Sequence, residues 1–243
     1  MACPIEASEK IMIVGIHQPN YFPGISYFCK ILYSDIFIFL DSVQFSKGNW
    51  TNRNRIKSAQ GELLLTVPIF TTGKSSQLIS ETLIVNRTDW RQKHLKSIYQ
   101  NYYKADYFKE TFPVIEEIFN TNWEKLSEMN VQIIKRLCNF LDIERRFLQS
   151  SEIESGDLRS TDRLIHLIKQ AGGDTYISGA GGRKYMEMDK FAENHLEVRF
   201  LTYTGSAYPQ QYKDFLPNLS IIDLLFNEGP KAVRIIKESA QVE

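Results

Sequence analysis

The sequence predicts an α/β protein built on a mostly parallel sheet, and three observations lead there. Residues 11–16 (Ile-Met-Ile-Val-Gly-Ile) form an unbroken apolar run, the pattern of a strand covered on both faces. A second such run, residues 35–40, follows after a segment in which Ile25, Phe28, Ile31 and Leu32 recur at helical spacing. Strand, helix and strand in that order form a parallel crossover unit. The third observation is the long helical stretch in the middle of the chain. The resulting fold class is α/β, with a Rossmann-like mostly parallel sheet and a helical insertion at about residues 89–142.

The 243 residues and 43% apolar content support one α/β domain over residues 11–243. Residues 1–10 read as a loose extension, with Glu6 and Glu9 and no apolar core of a secretory signal. Lys plus Arg and Asp plus Glu both number 29, so no bulk attraction to nucleic acid is expected. No apolar run reaches the roughly 18 residues of a membrane span. Cys3, Cys29 and Cys138 are scattered, with no CxxC. That argues against a disulfide framework or zinc site and fits the cytoplasm.

After the first strand, His17-Gln18-Pro19-Asn20-Tyr21-Phe22-Pro23-Gly24 is a loop, because two prolines forbid an immediate helix. Residues 63–69 read as a strand and residues 71–77 as a polar loop that could close over a site. Residues 83–85 read as a short strand. Helices are expected at residues 90–102 and 106–119. A capping box at Thr121 and Glu124 would open a third helix, with Leu126, Met129, Ile133, Ile134, Leu137 and Leu141 inward. A strand at 146–150 follows. Ser160 or Thr161 then caps a helix that Gly172 stops. Strands at 175–178 and 196–201 flank a helix from about Arg183. Helices at 221–226 and 231–236 close the chain.

Four constellations could carry chemistry. His17 follows a buried strand among Gln18, Asn20 and Tyr21, a donor-rich loop on the edge where open α/β sheets bind ligands. Asp41 ends the second strand, so it should lie near His17. Asn52, Arg53, Asn54 and Arg55, with Gln44 upstream, combine planar phosphate donors with amides suited to sugar hydroxyls. Ser178, Gly179, Gly181 and Gly182 form a glycine-rich turn able to cradle an anion, although it fits neither GxGxxG nor GxxxxGK[ST]. Tyr208, near Gln210, could stack on a ring. Cys29 could pair with His17, with Lys30 lowering its pKa, but its neighbours Phe28 and Ile31 read as core. His94 reads as a core histidine. No metal motif and no serine-hydrolase GxSxG is present, and the sequence names no cofactor.

Together these motifs resemble the WbqC-like protein family. The matching segments are residues 17–23, Tyr27-Phe28 with Lys30-Ile31, Phe39-Leu40-Asp41 with Val43-Gln44-Phe45, and Asn52-Arg53-Asn54 with Ile56. Later matches are Trp90 with His94, Tyr176-Ile177-Ser178-Gly179 with Gly182 and Tyr185, Tyr208 with Gln210, and Ser220 with Asp223. Gly24 departs from the large aromatic expected there. The resemblance implies a bacterial cytoplasmic protein of O-antigen or other surface-polysaccharide biosynthesis.

The leading expectation is therefore a transferase moving an acyl or aminoacyl group to a nucleotide-linked amino sugar. Its small-molecule substrate would be a nucleotide sugar or an activated acyl donor, the donor either free or carrier-bound. His17 would be the general acid/base or oxyanion donor, and Asp41 would orient it or bind a hydroxyl. Arg53, Arg55 and the Ser178 turn would hold phosphate. Asn20, Asn52, Asn54 and Gln44 would read sugar or carboxamide groups. Gln18, Tyr21, Lys30 and Gln210 would line the same substrate site, and Tyr208 would stack there. The alternatives are a nucleotidylyltransferase-like activating enzyme, suggested by a His after the first strand, and a non-catalytic scaffold of a glycan-assembly complex.

Overall fold

The computed structural model describes residues 11–71 and 76–243. The predicted N-terminal extension, and most of the polar loop expected to close over the site, lie outside those residues. The chain forms a six-stranded sheet and a separate hairpin. Its first unit is β1 (Ile13–His17), α1 (Ile25–Leu32) and β2 (Ile36–Phe39), the crossover read from the sequence. β1 and β2 pair in parallel, with His17 opposite Phe39.

Each face of this unit has its own core. Val14, Ile16, Ile36 and Ile38 point to one side of the sheet. There they meet Leu164, Ile165 and Ile168 of α5 (Ser160–Ala171). Phe37 and Phe39 point to the other side, into the core that includes Phe28 and Ile31 of α1. This alternation follows from the two-residue period of a strand. Gly15 lets α1 approach closely. A Cβ there would sit 2.8 Å from Ser34 Oγ and 3.0 Å from the Phe37 ring.

After β2 the chain leaves the sheet for about a hundred residues. It builds the antiparallel hairpin β3 (Arg53–Ser58) and β4 (Gly61–Thr66), then α2 (Trp90–Tyr102), α3 (Phe108–Asn120) and α4 (Leu126–Phe140). It returns as β5 (Arg146–Gln149), which pairs in parallel with β2 at the sheet edge. α5 leads to β6 (Thr175–Gly179), parallel to β1, and α6 (Met188–Glu193) leads to β7 (Glu197–Tyr203), parallel to β6. α7 (Ile221–Glu228), α8 (Ala232–Glu238) and the antiparallel edge strand β8 (Ala240–Val242) close the chain. The strand order is β5-β2-β1-β6-β7-β8. No helix among the described residues is long and apolar enough to cross a membrane.

Several local expectations need correction. The capping box at Thr121 does not form. Thr121 Oγ1 instead donates to Glu117 O, and α4 begins later, after Lys125. Neither Ser160 nor Thr161 caps α5, since the cap position is Arg159; Thr161 Oγ1 accepts from Glu187 N. Residues 83–85 make only isolated bridges, Leu83 to Lys125 and Ile84 to Ile69. The strand expected at 63–69 runs over Gly61–Thr66. The glycine turn leads into a 3-10 segment, Ala180–Lys184, and α6 starts only at Met188. β8 was not anticipated.

Candidate active site at the switch point

The connection out of β1 runs to β2 on one side, and the connection out of β6 runs to β7 on the other. Adjacent parallel strands with diverging connections leave a crevice beyond their carboxyl ends, where such sheets bind ligands. His17 ends β1 and Gly179 ends β6. A cavity of about 570 Å³ lies here, lined by Asn20, Ser26, Tyr27, Trp50, Asn54, Arg55, Tyr203 and Asn218 among others. A second cavity, about 380 Å³, is lined by Gln18, Tyr176, Ser178, Gly181, Gly182 and Tyr185 among others. His17, Lys30 and Gly179 line both, so the two are lobes of one cleft meeting at these residues. Among the described residues no carboxylate lines either lobe.

The His17 imidazole sits edge-on to Tyr27, with ring centres 4.8 Å apart. Its Nδ1 lies 3.1 Å from Gln18 O. A carbonyl only accepts, so Nδ1 carries the proton in the neutral ring and Nε2 is a bare lone pair. Burial, reinforced by the Lys30 charge, pushes the His17 pKa down to about 3. Held neutral in this way, His17 offers Nε2 as an acceptor. Lys30 comes from α1, buried, its stem against Gly15 and its Nζ 3.3 Å from Ile16 O. Burial lowers its pKa to about 8.

The loop at residues 17–24 is fastened from three directions. Asn130 of α4 donates to Pro19 O and Thr51 O, at 2.9 and 2.7 Å. Asn54 donates to Tyr21 O and Phe22 O, at 3.2 and 2.6 Å. Ser220 Oγ donates to Phe22 O at 2.8 Å. Phe22 has φ +40°, a left-handed conformation that non-glycine residues rarely adopt. Asn54 and Ser220, donating to the carbonyls on either side of its Cα, hold it there, and Asn130 pins the loop at Pro19.

The expected site residues separate into two groups. Gln18, Asn20, Lys30, Asn54, Arg55, Ser178, Gly179, Gly181 and Gly182 lie on the cleft with His17. Asp41 does not. Leu40 N donates to His17 O, so the backbones are adjacent. The Asp41 carboxylate turns away and accepts from Ser127 Oγ, Ser150 Oγ, Ser151 N and Ser151 Oγ, all at 2.9–3.1 Å. Tyr21 is fully buried, its hydroxyl 2.9 Å from His94 Nδ1. Asn52 Nδ2 donates to Val67 O. Gln44 is exposed and bridged to Leu78, away from the lining. Arg53 donates to Gly48 O.

Tyr208 and Gln210 belong to a separate buried network. Tyr208 and Tyr102 hydroxyls donate to the two oxygens of Asp223, at 2.8 and 2.7 Å. Gln210 Oε1 accepts from Lys57 Nζ and Leu216 N. Tyr208 lines a neighbouring cavity, reached past Ile25, Tyr203 and Asn218. Burial raises the Asp223 pKa. Cys29 is fully buried, its thiol on Ile236 O and its pKa pushed up to about 12, so it forms no pair with His17.

Trp50, Tyr203, Asn218 and Asn130 were missed by sequence reasoning. Trp50 is a large, half-exposed aromatic, with the Arg55 guanidinium 5.0 Å over its ring. Arg55 also pairs with Glu62, Nη1 to both carboxylate oxygens at 3.0 and 2.8 Å. An aromatic amid the polar residues 46–55 was a readable signal. So was Asn130, an amide flanked by core residues Met129 and Val131. Among the described residues no group of three His, Cys, Asp or Glu side chains converges to hold a metal.

The chain is an α/β protein whose mostly parallel sheet carries a basic, aromatic-walled cleft at its switch point, where open α/β sheets bind ligands. Residues 18–235 match the WbqC-like protein family, and the chain belongs to that family. It is 38% identical over 224 residues to the uncharacterized protein Rv1507c of Mycobacterium tuberculosis, covering 90% of this chain and 95% of that relative. No solved structure matches the chain significantly.

Proposed function

We propose that the chain is a transferase of surface-polysaccharide precursor synthesis in the bacterial cytoplasm. It moves an acyl or aminoacyl group from an activated donor, free or carrier-bound, to the amino group of a nucleotide-linked amino sugar. The observation that carries this reading is the state of His17, a neutral imidazole with Nδ1 held by Gln18 O and Nε2 unprotonated. It sits where both lobes of the cleft meet. Once bound substrate raises its pKa, a base so placed takes the proton from an attacking amine as the new amide bond forms and the donor's leaving group departs with its electron pair. Two lobes meeting at one base suit two substrates.

The larger lobe fits the nucleotide sugar. Trp50 offers a ring face to the base, while Asn20 and Asn218 offer amides to sugar hydroxyls. The smaller lobe, with its glycine turn, fits the acyl donor. Asn54 belongs to this scheme as a positioning residue, through its bonds to the loop. Residues 11–243 act in this scheme as one domain, its helical insertion bracing the catalytic loop through Asn130.

The test is a panel of nucleoside diphosphate amino sugars with thioester and acyl-phosphate donors, products read by mass spectrometry. His17→Ala should lower turnover on the order of 10²–10⁴-fold and leave thermal stability at pH 7.5 essentially unchanged. Near-normal turnover in that variant removes His17 from the chemistry.

A further inference from the structure

The junction of the two lobes holds a feature that acyl transfer by itself does not require. Lys30 is only 8% exposed. Among the described residues its Nζ donates only to Ile16 O, at 3.3 Å, long for a charged donor. No carboxylate among the described residues lies within ion-pairing distance of it, and none lines either lobe. A buried ammonium without a counter-ion is costly unless a ligand supplies the charge. The titratable groups that line the two lobes with it are His17 of β1, Tyr27 of its own helix, Tyr176 of β6, Tyr185 beyond β6, Tyr203 of β7 and Arg55 of β3. None of them is a carboxylate. The Arg55 charge is already matched by Glu62, so Lys30 is the cation here without an acidic partner.

We propose that Lys30 is the anion seat of the cleft, taking a phosphoryl group of the substrate where the lobes meet, and that filling this seat turns His17 into an effective base. An ammonium is a compact point charge with three tetrahedral donors, suited to a phosphoryl oxygen. The planar fork of an arginine would favour a carboxylate in one plane. A phosphoryl dianion beside Lys30 cancels the charge that helps keep His17 from accepting a proton. Lys30 itself, half neutral near pH 8 when the cleft is empty, becomes fully protonated. Binding therefore takes up protons. The sugar carried by the phosphoryl group rests on the transferase reading; the seat and its proton uptake do not.

The experiment is titration calorimetry at pH 8.0 with inorganic phosphate, pyrophosphate and uridine diphosphate, each in two buffers of different ionisation enthalpy, without any acyl donor. Pyrophosphate or uridine diphosphate should bind with uptake of about half a proton at Lys30. Their arrival should move the His17 titration upward in NMR spectra of histidine-labelled protein. Lys30→Met, which keeps the stem over Gly15, should weaken binding on the order of 10–100-fold and abolish the uptake. Lys30→Arg, charged at every pH used, should bind without uptake, and it serves if the Met variant does not fold. Phosphate binding as tightly as uridine diphosphate would identify free phosphate rather than a nucleotide as the occupant. The proposal is overturned if none of the three binds, if wild type binds with no uptake, or if either variant binds like wild type with the same uptake. A positive result here, with no acyl transfer in the panel above, would retire the transferase reading alone.

Discussion

Lowering the pH from 7 to 5 should remove about 4 kcal/mol of stability through two buried histidines. His17 and His94 both titrate near 6.5 in the unfolded chain and are held neutral in the folded one, with pKa values of about 3 and about 4. Burial is the first cause for both. His94 Nδ1 accepts from the Tyr21 hydroxyl, which must turn away before that nitrogen takes a proton; the backbone bond to Thr66 works the other way but is outweighed by burial. Below pH 6.5 the unfolded state binds the protons and the folded state does not. Stability then falls with pH at about 1.4 kcal/mol per unit for each histidine. At pH 5 each term reaches about 2 kcal/mol, a large share of a typical total of 5–15 kcal/mol. The His94 term levels off below about pH 4 and the His17 term below about pH 3; above pH 6.5 both are flat.

Urea unfolding at pH 7, 6, 5 and 4 measures the sum. Comparison with His94→Phe isolates one term, because other titrating groups, including Asp223 with its opposite sign, cancel in the difference. That variant should be offset by the lost Tyr21 bond yet lose about 2 kcal/mol less between pH 7 and 5. An unchanged pH slope in the variant would refute a neutral buried His94.

Two further outcomes separate fold from chemistry. Asp41→Ala strands three serine hydroxyls and the Ser151 amide around a buried site. It should cost on the order of 3 kcal/mol, read as a lower urea midpoint, whereas His17→Ala at neutral pH should not. Gly182→Ala would press a methyl onto Ser178 Oγ and to 3.1 Å from Met186 Cε. It should cost about 1–3 kcal/mol and weaken binding in the smaller lobe. Gly181→Ala, with nothing within 4 Å of its added Cβ, should be nearly neutral in a thermal melt.

The elements that were legible in the sequence are those set by local pattern. The apolar runs at residues 11–16 and 35–40 and the helical spacing between them are short-range signals. They suffice to put His17 at the carboxyl end of a buried parallel strand. β5 at one edge and β8 at the other were not ordered by pattern. Arg146 pairs with Ile36, and Val242 with Leu201; such pairings depend on contacts distant in sequence. The 3-10 turn at Ala180–Lys184 displaced an expected helix start because Gly182 packs directly on Ser178.

The site shows the same division more sharply. Composition and spacing by themselves determined a donor-rich loop after β1, a basic segment after β2 and a glycine turn after β6. Those are properties of neighbouring residues. Which polar groups face the cleft was decided only by the tertiary structure, because a buried donor or acceptor must be satisfied by whatever the fold brings beside it. Tyr21 meets His94, Asp41 meets Ser127, Ser150 and Ser151, and Tyr208 meets Asp223. Once so paired, they brace the fold. Lys30, the basic residue of a mostly apolar helix, meets no acid among the described residues and lines both lobes of the cleft.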